Sequence, residues 1–180
     1  MGIYSSLIER KFKNIAGKRY EKVLREYREF LLTEEETVVP EIRSILMPLD
    51  RFVRDIPEEL YETLSAYDAT VVLVYIIDAT LFSIIKETLS GEASEEFRKN
   101  EESHGMMLLE KVGERLEEMG LNVHRRMFFG DKSDDVIKLT DDHDMVVLSK
   151  SYGSEITRVS PISPVVFKIV QHVEKPVIVY

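Results

Sequence analysis

Residues 70–77 read Thr-Val-Val-Leu-Val-Tyr-Ile-Ile, apolar at every position after the first and mostly β-branched. A strand with one face in water alternates polar and apolar residues. This one cannot, so both of its faces must be covered. That is the pattern of a central strand in a parallel sheet with helices above and below. Asp68 and Asp78 bracket the run. It is far shorter than the ~20 apolar residues that a membrane-spanning helix requires, so no transmembrane segment is expected.

The neighbouring segments supply the rest of such a sheet. Residues 42–47 form a short apolar run that Pro48 is expected to end, a first strand. Ile56-Pro57-Glu58-Glu59 opens a helix, with Pro early and acids in the first turn, running to about Ser65. Residues 94–119 form a long helix with Met106, Leu109, Val112, Leu116 and Met119 as its apolar stripe; Gly120 closes it. Residues 122–129 are a third strand. Residues 133–139 are a short helix capped by Ser133 or Asp131. Residues 144–148 are a fourth strand. Ser163-Pro164 pairs an N-cap with Pro at the first helical position, and residues 176–180 are a fifth strand. The order is βαβαβαβαβ, which predicts a doubly wound α/β fold with right-handed crossovers. The other methionines and phenylalanines at helical spacing are expected in the core.

A chain of 180 residues exceeds one typical domain, and the surplus precedes this pattern. Residues 1–41 read as an amphipathic helical extension and linker, residues 42–180 as the domain. Tyr20, Val23, Leu24, Tyr27, Phe30 and Leu31 recur at helical spacing. Gly17 is expected to bend or split the extension. Its first 32 residues hold eight Lys/Arg and four Glu, a charge of +4, leaving −13 on the rest of a chain whose net charge is −9. Bulk charge therefore disfavours nucleic acid as a partner. The basic stripe could meet a membrane surface or a protein, but packing against the acidic body is the preferred expectation. The N-terminus shows no secretory signal. Met1-Gly2-Ile3-Tyr4-Ser5-Ser6 fits the loose myristoylation pattern, and a soluble cytoplasmic protein is the simpler expectation. The absence of cysteine excludes disulfides, thiolate metal sites and a Cys nucleophile.

In open parallel sheets, ligands bind beyond the carboxyl ends of the strands, where the strand order reverses. Here that directs attention to residues 48–51, to Ile77-Asp78, and to residues 149–163. These segments resemble the universal stress protein family. The resemblance rests on Ile45-Leu46-Met47-Pro48-Leu49-Asp50, Tyr75-Ile76-Ile77-Asp78, Gly130-Asp131, Asp144-Met145-Val146-Val147 and Lys175-Pro176-Val177-Ile178-Val179. It covers residues 42–180. It implies a five-stranded sheet of order 3-2-1-4-5 with helices on both faces. It also implies an adenine-nucleotide site involving Pro48, Leu49, Asp50, Ile76, Gly130, Ser149, Lys150, Gly153 and Ser163.

In ATP-binding members of that family, the loop after the fourth strand carries three glycines and a Ser/Thr that let backbone N–H groups approach phosphates. With Gly153 on the second glycine, the first falls on Lys150, the third on Ser163 and the Ser/Thr on Pro164. Proline offers neither the N–H nor the hydroxyl. The base-side positions are present and the phosphate cradle is degenerate. Asp50 also has a plainer role, since an Asp at a strand end caps the following turn.

Other chemistry finds little support. Asp141-Asp142-His143-Asp144 is adjacent in sequence, without metal-ligand spacing, and reads as a solvated turn. His104, His124 and His172 lie far apart. No nucleophile elbow, Walker loop or dinucleotide fingerprint occurs. The leading expectation is a non-catalytic, stress-response regulatory module with a degenerate nucleotide pocket. The alternatives are a working ATP- or AMP-binding switch, with or without slow hydrolysis, and an adaptor acting through residues 1–40. Val177, Ile178, Val179 and Tyr180 form an apolar edge, which needs a cover. In the family this strand pairs with its twofold mate, so a homodimer is expected.

Overall fold

The computed structural model describes residues 41–89 and 91–180. The expectations for the helical extension, its bend at Gly17 and its partners fall outside these residues, apart from Glu41. The described chain runs β1 (Ser44–Leu49), α1 (Glu58–Ser65), β2 (Thr70–Asp78), α2 (Ala79–Thr88), α3 (Gly91–Glu118), β3 (Asn122–Gly130) and α4 (Asp134–Leu139). A 3-10 turn (Thr140–Asp142), β4 (Met145–Leu148), α5 (Pro164–His172) and β5 (Val177–Val179) complete it.

All strands are parallel, in the order β3-β2-β1-β4-β5. The chain winds outward from β1 to β3, then crosses back to β4. With right-handed crossovers, that reversal puts α4 and α5 on the face opposite α1 to α3. The packing agrees: α3 lies on β2 and β3 and touches α1, while α4 packs on α5. Residues 73–77 of β2 are all buried, as covering on both faces requires. On one of those faces the backbone of α3 comes close. A Cβ added at Gly105 would lie 2.7 Å from the Tyr75 ring and 2.8 Å from the Met127 sulfur, so only glycine fits this helix–sheet contact.

Three expectations about elements need correction. Pro48 does not end the first strand but lies within it, opposite Val74. The β1–β4 ladder spans only Ile45 and Leu46. At Pro48 that side carries no ladder, so the missing N–H forfeits no sheet bond. The second crossover holds two helices rather than one. Asp78 starts the extra helix by accepting a hydrogen bond from the Leu81 N–H at 2.9 Å. Finally, Met106 is exposed; so are Met107 and Phe167. The buried stripe of α3 runs through Gly105, Leu108, Leu109, Val112 and Leu116.

Candidate functional site

The reversal of strand order lies between β1 and β4, and Asp50 sits just beyond the end of β1. Its own carbonyl accepts from the Val53 N–H at 3.1 Å, a tight turn. Its carboxylate is 1% exposed. Oδ1 accepts from the Phe52 N–H at 3.0 Å, the turn-capping role. Oδ2 accepts from the Gly153 N–H at 2.8 Å, across 103 residues of sequence. The structure thus brings together Asp50 and Gly153, two of the positions that the sequence nominates.

Sequence reasoning missed the third partner. Lys132, on the loop between β3 and α4, donates from Nζ to Asp50 Oδ2 at 2.7 Å, and only 10% of its side chain is exposed. The same ammonium lies 5.0 Å from the centre of the Phe52 ring, within cation–π range. A buried carboxylate needs countercharge and donors. Asp50 receives both, one countercharge and two N–H groups, from within the chain. The cavity beside this cluster, bounded by Arg51, Asp78, Leu81, Glu101 and Lys132, holds about 200 Å³. Small-molecule sites run from about 300 to 1,000 Å³.

The loop beyond β4 is fixed by its own hydrogen bonds. Ser163 is the N-cap of α5, accepting from the Val166 N–H at 3.1 Å, and its hydroxyl donates to the Tyr152 carbonyl. Its own N–H goes to the Lys150 carbonyl at 2.8 Å. Pro164 follows at the start of the helix. Tyr152 is buried, its hydroxyl donating to the Lys132 carbonyl at 3.1 Å, and burial pushes its pKa up. That bond ties the β4 loop to the loop that carries Lys132. Gly153 has φ +89°, in the left-handed region, and a Cβ there would lie 2.5 Å from Val165.

The remaining nominated residues divide. Pro48, Leu49 and Ile76 are buried. Gly130 ends β3, and of the two expected caps of α4 it is Asp131 that makes the bonds, accepting from the Asp134 and Ser133 N–H groups at 2.7 and 2.8 Å. These bonds hold the Asp131 carboxyl below its usual pKa. Ser133 occupies the cap position without making the bond. Ser149 bonds Ser151 at 3.0 Å. Lys150 is exposed and is not among Asp50's hydrogen-bond or ion-pair partners.

On the far side of the sheet, at the start of β1, Ser44 Oγ lies 2.5 Å from His143 Nδ1. Burial holds the His143 pKa below its usual value, while Asp142 and Asp144 push it up and Arg126 pushes it down. The Asp144 carboxylate accepts from the Arg43 and Ser44 N–H groups, so this corner stitches β1 to β4. Among the described residues no group of three or more acidic or histidine side chains could hold a metal ion. No described helix is long and apolar enough to cross a membrane.

No protein-family model matches the chain, and no curated protein matches its sequence. Solved structures do match its fold. The hypothetical protein MJ0577 aligns with a TM-score of 0.64 and 19% identity over 78% of this chain and 96% of its own. The universal stress protein UspA from Lactobacillus plantarum aligns at 0.62 and 15%, over 78% and 99%. A universal stress protein family member from Arabidopsis thaliana, solved with AMP bound, aligns at 0.50 and 18%, over 76% and 90%. The strand order, the crossover reversal and these alignments agree: this chain has the universal stress protein fold.

Proposed function

We propose that this protein is a non-catalytic regulatory module of the universal stress protein type, acting in the stress response, whose nucleotide pocket is closed by its own side chains. One observation carries the reading. Lys132 Nζ and the Gly153 N–H both sit on Asp50 Oδ2, at 2.7 and 2.8 Å. A ligand that used Asp50 would have to displace a buried ammonium and leave it unpaired, which opposes binding. The small cavity beside the pair and Pro164 at the start of α5 support the same reading. The protein works in the cytoplasm as a homodimer joined through Val177, Ile178, Val179 and Tyr180.

A second reading is an ATP- or AMP-dependent switch. It is favoured by the AMP bound to the Arabidopsis structure, whose fold this chain shares. In this reading Pro48, Leu49, Asp50, Ile76, Gly130, Ser149, Lys150, Gly153 and Ser163 would surround the nucleotide. Thermal melting of the full chain with millimolar ATP or AMP, with and without Mg²⁺, separates the two. A ligand present at 100 times its dissociation constant stabilises by about 2.7 kcal/mol. The closed-pocket reading predicts an unchanged melting temperature; a rise of that size would establish the switch.

A further inference from the structure

Phe52 borders two cavities, and the second is the larger. It holds about 420 Å³, within the range of small-molecule sites, and neither Asp50 nor Lys132 lines it. Phe52, Pro57, Ile156 and Tyr180 provide apolar and aromatic wall; Ser149, Lys150 and Ser151 border it from the end of β4.

The polar groups on this lining define what it can hold. The Ser151 hydroxyl donates to the Phe52 carbonyl at 2.9 Å. Its single proton is thereby used, so in the 3.0 Å contact between the two hydroxyls Ser149 is the donor. The serines therefore offer acceptors, not donors. Arg54 is paired with Glu155 at 3.2 Å. Lys150 forms no ion pair among the described residues. It is the lining cation left for a ligand. Glu155 is spent on Arg54, which leaves Asp55 as the lining carboxylate that repels a ligand with several negative charges. The Tyr180 hydroxyl is buried and has no hydrogen-bond partner among the described residues. One anionic group beside Lys150 and a planar ring against the aromatic wall fit this lining; a triphosphate, facing Asp55 and the serine acceptors, does not.

We propose that this cavity is a binding site for a small aromatic monoanion, its ring against Phe52 and Tyr180 and its charge on Lys150. The cavity lies apart from Asp50 and Lys132 but shares Ser149 and Lys150 with the positions nominated for a nucleotide, so it is tested with a monoanion that carries no phosphate. The experiment is calorimetric titration of the full chain with 2-naphthoate. Saturable one-site binding is expected, weakened about tenfold by Lys150→Gln, the loss of one charge-assisted contact. The uncharged 2-naphthamide should bind about tenfold more weakly than the naphthoate. Ile156→Trp, which fills the cavity from an exposed position, should abolish binding. Leu81→Trp, on the Asp50-side cavity, should leave it unchanged. Unaltered melting of each variant establishes that it folds. No saturation at millimolar naphthoate overturns the proposal. So does equal binding by folded Lys150→Gln and Ile156→Trp variants, or loss of binding in folded Leu81→Trp.

Discussion

Replacing Lys132 by Met would leave the Asp50 carboxylate buried with two N–H donors and no countercharge. Removing one partner of a buried pair costs about 3–5 kcal/mol, and most of that is the stranded charge. Chemical denaturation should therefore show Lys132→Met destabilised by about 3 kcal/mol. Asp50→Asn added to Lys132→Met should recover most of that loss. An additive double mutant would mean that the two groups do not depend on each other. His143 makes a second prediction at this scale. Its native pKa is lowered, chiefly by burial, so the unfolded chain takes up its proton first as pH falls. The stability that the neutral ring supplies is present above the unfolded value near ~6.5 and declines as pH drops through it. Denaturation midpoints between pH 7.5 and 5.5 should fall, and His143→Gln should flatten that slope. Asp131 and Asp144, both lowered by backbone hydrogen bonds, act in a separate acidic window. Their contribution is present above the unfolded value near ~4 and is lost as pH falls through their lower native values. Asp50 was legible in the sequence because it ends an apolar strand at the reversal of strand order. Lys132 was not. Nothing about a lysine two residues after Gly130 says that it reaches 82 residues back to a carboxylate; tertiary packing alone makes the pair.

Among the elements, the turn from β4 to α5 depends most on one residue. Gly153 combines a left-handed φ with contact against Val165. Alanine would add the strain of that conformation, about 1–2 kcal/mol, to overpacking of about 1–3 kcal/mol. Gly153→Ala should lower stability by roughly 2–5 kcal/mol in a denaturant titration; a neutral change would mean that the loop relaxes freely. The strands were the most legible elements, because runs such as residues 70–77 need cover on both faces. The cap of α5 was legible too, as Ser163 and Pro164 announce it locally. The helix α2 was not. Its apolar residues recur at helical spacing, at Leu81, Ile84 and Ile85, but Leu81 and Ile84 are exposed and no residue of α2 is buried, so the pattern points to no core face. The aromatic contact from Phe82 to Phe97 and Phe129 holds it instead. Met106 misled for a related reason. Spacing by three and four fits two adjacent faces of α3, and the glycine that meets Tyr75 decides which face is inward.

For the whole molecule, the sheet leaves β5 as an edge beside β4. The proposed dimer covers it, so light scattering should report twice the monomer mass for the full chain. Val179→Lys, placing a charge on that edge, should reduce it to the monomer; a dimer that survives this change joins elsewhere. Nucleotide binding is the question that decides what the molecule does. The most direct measurement is an amide NMR titration of the full-length protein with AMP, following Asp50, Lys132 and Gly153. The account predicts that these three resonances stay in place at millimolar AMP, because Lys132 and Gly153 already occupy the carboxylate. Saturable shifts at all three would contradict it and place a working nucleotide site at the junction of β1 and β4.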